Sequence, residues 1–219
     1  MLLNVNFEIK STFIMKDQQD YIQDIAEIRS MMERSSKFLS LSGWAGIMAG
    51  IYALAGAYIA YSVFNFNPDE IFYGAERLSS GLTDIIVLGV IVLVLALGTA
   101  IFLSYRKAVR KGEKIWNAVS KQLLTNMAVP LAAGGILIVV LISKGLLGLI
   151  APLTLLFYGI SLYNAGRFTY LEVKYLGLIQ MGLGMISSYF IEYGLLFWAA
   201  GFGVVHIIYG IYIYLRHER

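Results

Sequence analysis

His206 lies in the apolar run Gly203-Val204-Val205-His206-Ile207-Ile208-Tyr209-Gly210. An imidazole there could ligate a metal or haem, carry a proton, or make one interhelical hydrogen bond. A bis-histidine site needs two rings facing one another. The chain has only His206 and His217, 11 residues apart, or roughly 16 Å on a continuous helix. One chain therefore cannot clamp an iron with both. There is no cysteine, which excludes disulfides, thiolate metal sites, iron–sulfur clusters and a thiol nucleophile. The serines lack a G-x-S-x-G setting. The glycines from Gly43 to Gly56 fall inside an apolar run rather than between a strand and a helix, so they do not form a phosphate loop. No catalytic, cofactor-binding or metal-ligating set is assigned, and no cofactor is expected.

The uncharged polar residues are more suggestive. Asn126, Asn164, Gln180 and His206 fall at similar depths of their apolar segments, given a rise of ~1.5 Å per residue. They form a candidate polar pocket, with Tyr158, Tyr209 and Tyr212 nearby. The alternative is scattered interhelical hydrogen bonds, each contributing about 0.6 kcal/mol. The expectation for His206 is a neutral ring hydrogen-bonded between helices, with pH sensing as the competing role. Asp84, Lys144 and Glu192 sit at the outer ends of their segments. Ion-coupled transporters usually hold an ionisable group near the midplane, so these positions argue against one.

What positions these residues is a set of long apolar segments. The 219-residue chain is 58% hydrophobic and 14% charged, with a mean hydropathy of +0.71, whereas soluble domains carry about 25% charged residues. Six segments stand out: 43–63, 83–104, 123–142, 145–163, 175–191 and 194–214. Each meets the ~17–25 residues a helix needs to cross hydrocarbon, and lipid demands internally satisfied backbone. The expected class is all-α, an integral membrane bundle of six transmembrane helices over 41–216. Of the 17 lysines and arginines, all but Arg77 and Lys144 fall on one side if the termini are cytoplasmic. The positive-inside rule then gives cytoplasmic N- and C-termini. The basic run from Tyr105 to Gln122 is read as a loop facing anionic lipid headgroups, not as a nucleic-acid site.

Residues 1–16 read as a poorly ordered tail. From Asp17 to Ser40 a helical period emerges, with Tyr21, Ile25, Ile28 and Met32 on one stripe. This amphipathic helix either lies on the membrane or bundle surface or presents those four residues as a docking or dimerisation face. In the first span, Ala45, Ala49, Ala53 and Ala57 fall four apart, as do Gly46 and Gly50. Small residues at that spacing allow close helix approach, within the bundle or between copies. Pro130 and Pro152 are expected to interrupt the third and fourth spans, the third together with Gly134 and Gly135.

The even-numbered spans end alike, as Gly98-Thr-Ala-Ile-Phe102, Gly159-Ile-Ser-Leu-Tyr163 and Gly210-Ile-Tyr-Ile-Tyr214. Gly135 and Gly145 flank one turn at a separation of ten, as Gly184 and Gly194 flank another. The stretch 145–159 parallels 194–210 with a two-residue slip. These features suggest three hairpins packed side by side. The glycines near the turns and the Tyr-Gly-Ile endings resemble those of the HdeD-like six-helix membrane proteins. The resemblance, which extends to uncharacterised six-helix bacterial inner-membrane proteins, covers residues 17–216. It implies fold and location, but no catalytic residue. The resulting expectation is a non-enzymatic membrane protein acting on a protein partner, on lipid or on itself. Self-association would use the N-terminal helix or the small-residue face of helix one. The competing reading is a channel or transporter built on the polar pocket.

Overall fold

The computed structural model describes residues 41–66, 81–112 and 116–219, all within one packed unit, 38–219. These residues are helical, with no strand among them. In chain order the helices are α1 (Gly43–Ser62), α2 (Gly81–Arg110), α3 (Ala118–Ser143), α4 (Ile150–Ala165) and α5 (Leu171–Tyr189). The last element is composite. A short α6 (Gly194–Trp198) passes into a π-helical segment, Ala199–Val205, and then into α7 (His206–His217).

Five stretches are long and apolar enough to cross a membrane: α1, α2, α3, 147–165 and 191–217. α5 is not among the five. Its 19 residues include Glu172, Lys174, Gln180, Ser187 and Ser188, and two of these, Gln180 and Ser187, are fully buried. The proposed amphipathic helix, with Tyr21, Ile25, Ile28 and Met32, lies outside the described residues, as does the tail.

The prolines act differently from expectation. α3 runs unbroken through Pro130. Pro152 lies in the first turn of α4, just after a 3-10 turn at Leu147–Leu149. A proline there forfeits no intrahelical bond, so it marks a helix start rather than a break. α3 is opened by a reciprocal cap. The Ser120 backbone N–H donates to Asn117 Oδ1 at 2.8 Å, and the Asn117 N–H donates to Ser120 Oγ at 2.9 Å. α3 is closed near Gly145, whose φ of +72° suits a residue without a side chain.

Packing is set by glycine. α1 lies between α2 and the composite helix, α4 and α5 cross closely, and α3 lies outside α4. The expected side-by-side hairpins hold for α1/α2 and α3/α4. The third pair, α5 with the composite helix, packs only lightly, because each prefers another partner. The two tight crossings share one register. A methyl group on Gly177 would lie 2.6 Å from both the Gly159 carbonyl and the Tyr163 nitrogen, and one on Gly159 would lie 2.7 Å from the Gly177 carbonyl and the Met181 nitrogen. Likewise a methyl on Gly43 would meet the Gly210 carbonyl at 2.5 Å and the Tyr214 nitrogen at 2.6 Å, and one on Gly210 the Gly43 carbonyl and Ile47 nitrogen at 2.6 Å. Seven residues further along each first helix, Gly184 abuts the Pro152 carbonyl and Gly50 abuts the Gly203 carbonyl. Backbones that approach this closely gain dispersion and weak Cα–H···O contacts, the main source of helix association where the hydrophobic effect is absent. The small-residue face of helix one is thereby used within the chain.

The end of the bundle opposite the α3–α4 turn is stitched by charge. Glu218 Oε1 accepts from the Gly43 backbone N–H at 2.6 Å and pairs with Lys107 Nζ at 3.0 Å. Lys107 also donates to the Leu41 carbonyl at 2.5 Å. Glu172 at the start of α5 meets Arg216 and His217, each at 3.3 Å, and the His217 ring stacks on Tyr170. Under this layer lies a core of Leu162, Ala165, Tyr170, Val173, Leu176 and Ile213.

Candidate functional site

The polar site forms where the composite helix is π-wound. A π turn widens the helix and alters which carbonyls its own ladder occupies. Ala199, Ala200, Gly201 and Gly203 supply little side-chain bulk there, and the Gly201 carbonyl accepts from two side chains. Gln180 Nε2, from α5, donates to it at 2.7 Å, and His206 Nδ1 lies 2.9 Å from it. A carbonyl can only accept, so Nδ1 carries the ring proton and Nε2 presents a lone pair. The hydroxyl of Tyr158, from α4, lies 3.0 Å from Nε2 and therefore donates. The 3.3 Å approach of Gln180 Nε2 to His206 Nδ1 then sets two donors side by side, both aimed at the Gly201 oxygen.

Aromatic rings enclose this cross-brace. His206, Tyr158 and Phe202 form a three-ring cluster, with the His206 centroid 5.5 Å from Tyr158 and 5.8 Å from Phe202 and those two 5.1 Å apart, and Trp198 leans on Phe202 at 5.1 Å. Gln180 is fully buried and His206 is only 5% exposed. Gly201 leaves no room for a side chain: a methyl group would lie 2.5 Å from Leu155 Cδ2 and 2.6 Å from Gln180 Oε1. Among the described residues, two buried side-chain atoms have no hydrogen-bond partner, Gln180 Oε1 and Ser187 Oγ.

Chemically the arrangement is a lock rather than a reactive centre. Both nitrogens of His206 are engaged by protein groups, so the ring presents no lone pair to a metal. Among the described residues no group of three or more His, Asp or Glu side chains is placed to hold a metal ion. The brace joins α4, α5 and the composite helix, elements that elsewhere meet through glycine, apolar surface and the Glu172 pairs with Arg216 and His217.

Of the four residues expected to converge, the structure brings together two, Gln180 and His206, and Tyr158 joins them. Asn126 is a correction. It is exposed, and its amide donates back to the Gln122 carbonyl at 2.8 Å. A four-residue backbone bond of this kind satisfies the amide on its own helix and takes it away from the bundle interior. Asn164 also stands apart: it occupies the last turn of α4, half-buried, and its carbonyl accepts from the Arg167 N–H at 3.3 Å. Tyr209 packs toward the apolar core, and Tyr212 is engaged by Arg216. The sequence reading missed Gly201, whose role belongs to its carbonyl, and Glu172 and Glu218. The pairing of an acid near the chain's end with the helix start at Gly43 has no local signature. No family model, curated protein or solved structure matches the chain.

Proposed function

We propose that this chain is a non-enzymatic multi-pass protein of the bacterial inner membrane, with both termini cytoplasmic, that acts through its helix faces on protein or lipid partners. One observation carries the reading. Gln180 and His206 are turned onto protein groups in the Tyr158–His206–Gly201–Gln180 brace, while long apolar faces of α2 and α3 are left open, with Val94 62%, Ile101 69%, Val139 66% and Ile136 68% exposed. Contiguous exposed apolar surface of this kind is where lipid and partner helices are met. The positive end of the bundle, with Lys107, Arg167, Lys174 and Arg216, suits the anionic cytoplasmic leaflet.

A second reading, a channel or transporter, is favoured by the π-helical segment and the unpartnered Gln180 Oε1, since π turns often mark functional sites. Proteoliposomes separate the two. Purified protein reconstituted with proton- and potassium-sensitive dyes and in glycerol-swelling assays is expected to leave vesicle permeability at the level of empty liposomes. A flux abolished by Gln180→Leu and His206→Phe would put the transporter reading in its place.

A further inference from the structure

We propose that the turn between α4 and α5, with Asn164, Arg167 and Lys174, holds the phosphate of an anionic glycerophospholipid whose acyl chains lie along α5. This rests on the reading that the chain acts on lipid at its helix faces. The cations at this end of the bundle divide into two groups. Lys107 is paired with Glu218, and Arg216 with Glu172. Arg167 and Lys174 have no carboxylate within ion-pairing distance among the described residues.

The backbone brings these two together. Gly166 caps α4, and a methyl group on it would lie 2.6 Å from Lys174 Cβ and 2.9 Å from the Lys174 nitrogen. The first turn of α5 is therefore laid directly across the residue before Arg167. The Lys174 ammonium lies 4.8 Å from the centre of the Tyr163 ring, which occupies one side of the group and leaves N–H donors over. Arg167 is exposed, and its guanidinium offers a fork that fits two phosphate oxygens. Asn164 adds a neutral donor. Its carbonyl receives the Arg167 N–H at 3.3 Å, and its half-buried side-chain amide is bonded to no protein group among the described residues. A phosphodiester presents acceptor oxygens only, so it can take all three donors with no carboxylate competing.

Charge alone would suit any anion; the apolar surface beside it selects an amphiphile. Leu171, Tyr175, Leu178 and Met185 follow the helical period down one face of α5 and are 55%, 57%, 46% and 62% exposed. Between the last two, a methyl group on Gly182 would meet nothing within 4 Å. Lys174 lies on the same face, three residues after Leu171 and four before Leu178. From 171 to 185 the stripe runs about 21 Å at the helical rise, longer than half of the ~30 Å hydrocarbon core. An acyl chain of one leaflet can therefore lie along it while its headgroup stays at the turn. A soluble anion would leave this stripe bare, whereas an anionic lipid meets the cations and the stripe together.

The test counts bound lipid. Full-length protein, delipidated in neutral detergent, is titrated at fixed ionic strength with phosphatidylglycerol or with phosphatidylcholine of the same acyl chains, and occupancy is read by native mass spectrometry. The parent is expected to prefer phosphatidylglycerol, and Arg167→Gln/Lys174→Gln to lower that preference by about tenfold or more, as the loss of two cations at a membrane surface would. Arg110→Gln/Lys111→Gln removes the same charge from the exposed end of α2 and should leave the preference unchanged. Arg167→Gln alone, at an exposed position, should lower it in part and serves if the double variant does not fold. Three results overturn the proposal. The first is a preference that is absent, or equal in parent and double variant. The second is an equal loss in the α2 variant, which would assign the binding to the general charge of this end. The third is displacement of the lipid by an equal concentration of inorganic phosphate, which would make the turn a site for a soluble anion. Each leaves the helix-face reading standing with another partner, whereas a His206-dependent flux would remove that reading itself.

Discussion

At the scale of the residue, the main finding is that His206 is fully employed. Its Nδ1–H is donated to Gly201, and its Nε2 accepts from Tyr158. His206→Leu removes both bonds and strands a half-buried tyrosine hydroxyl, so unfolding stability in detergent is expected to fall by about 1–3 kcal/mol. Tyr158→Phe, which deletes one hydroxyl and leaves Nε2 unpaired, should cost less than His206→Leu. A histidine variant as stable as the parent, measured by thermal or denaturant unfolding, would contradict the brace. Glu218 makes a second residue-scale prediction. It satisfies the N-terminal amide of α1 and pairs with Lys107, so Glu218→Ala should destabilise by about 1–2 kcal/mol. Truncating the chain before Glu218 should do the same, and unchanged unfolding of either form would refute the stitch.

At the scale of the element, glycine decides which helices are neighbours. Gly159→Ala and Gly177→Ala each drive a methyl group into opposing backbone at 2.6–2.7 Å. Backbone cannot step aside as a flexible side chain can, so overpacking should cost about 1–3 kcal/mol. Gly89→Ala, with nothing within 4 Å, should be neutral or slightly stabilising, since alanine is the better helix former by up to ~1 kcal/mol. Comparing the unfolding temperatures of these three variants checks the assignment of seams. Equal effects in all three would contradict it. Much of this level was legible. Apolar length gave the helices, and the shared endings at Gly98, Gly159 and Gly210 pointed to a repeat whose packing now has a register. The π segment was not legible. Its trace is the two-residue slip between 145–159 and 194–210, and a π turn is a way of absorbing extra residues in a helix that keeps its ends in place. The partner of each helix was also hidden, because sequence order suggests sequential hairpins while close approach is decided by which glycine faces meet.

At the scale of the whole molecule, α1, the composite helix, α4 and α5 form a glycine-packed centre, with α2 and α3 as its apolar edges. The candidate pocket was half legible for a physical reason. Depth along a helix can be counted from the sequence, and it placed Gln180 and His206 correctly at one level. Direction around the helix cannot be counted without knowing which face is buried, and on that point Asn126 turned out to face away. In the proposed reading the polar residues form a packed brace and function is exerted laterally, from the edges. The measurement that tests it most directly places the chain's only thiol at the brace. His206→Cys in oriented membrane vesicles is treated with a membrane-impermeant maleimide from each side in turn. Protection from both sides, in protein that labels fully once denatured, is the result expected of a closed brace. Labelling from either aqueous face would show that water reaches position 206, and the bundle would then be a pathway rather than a scaffold.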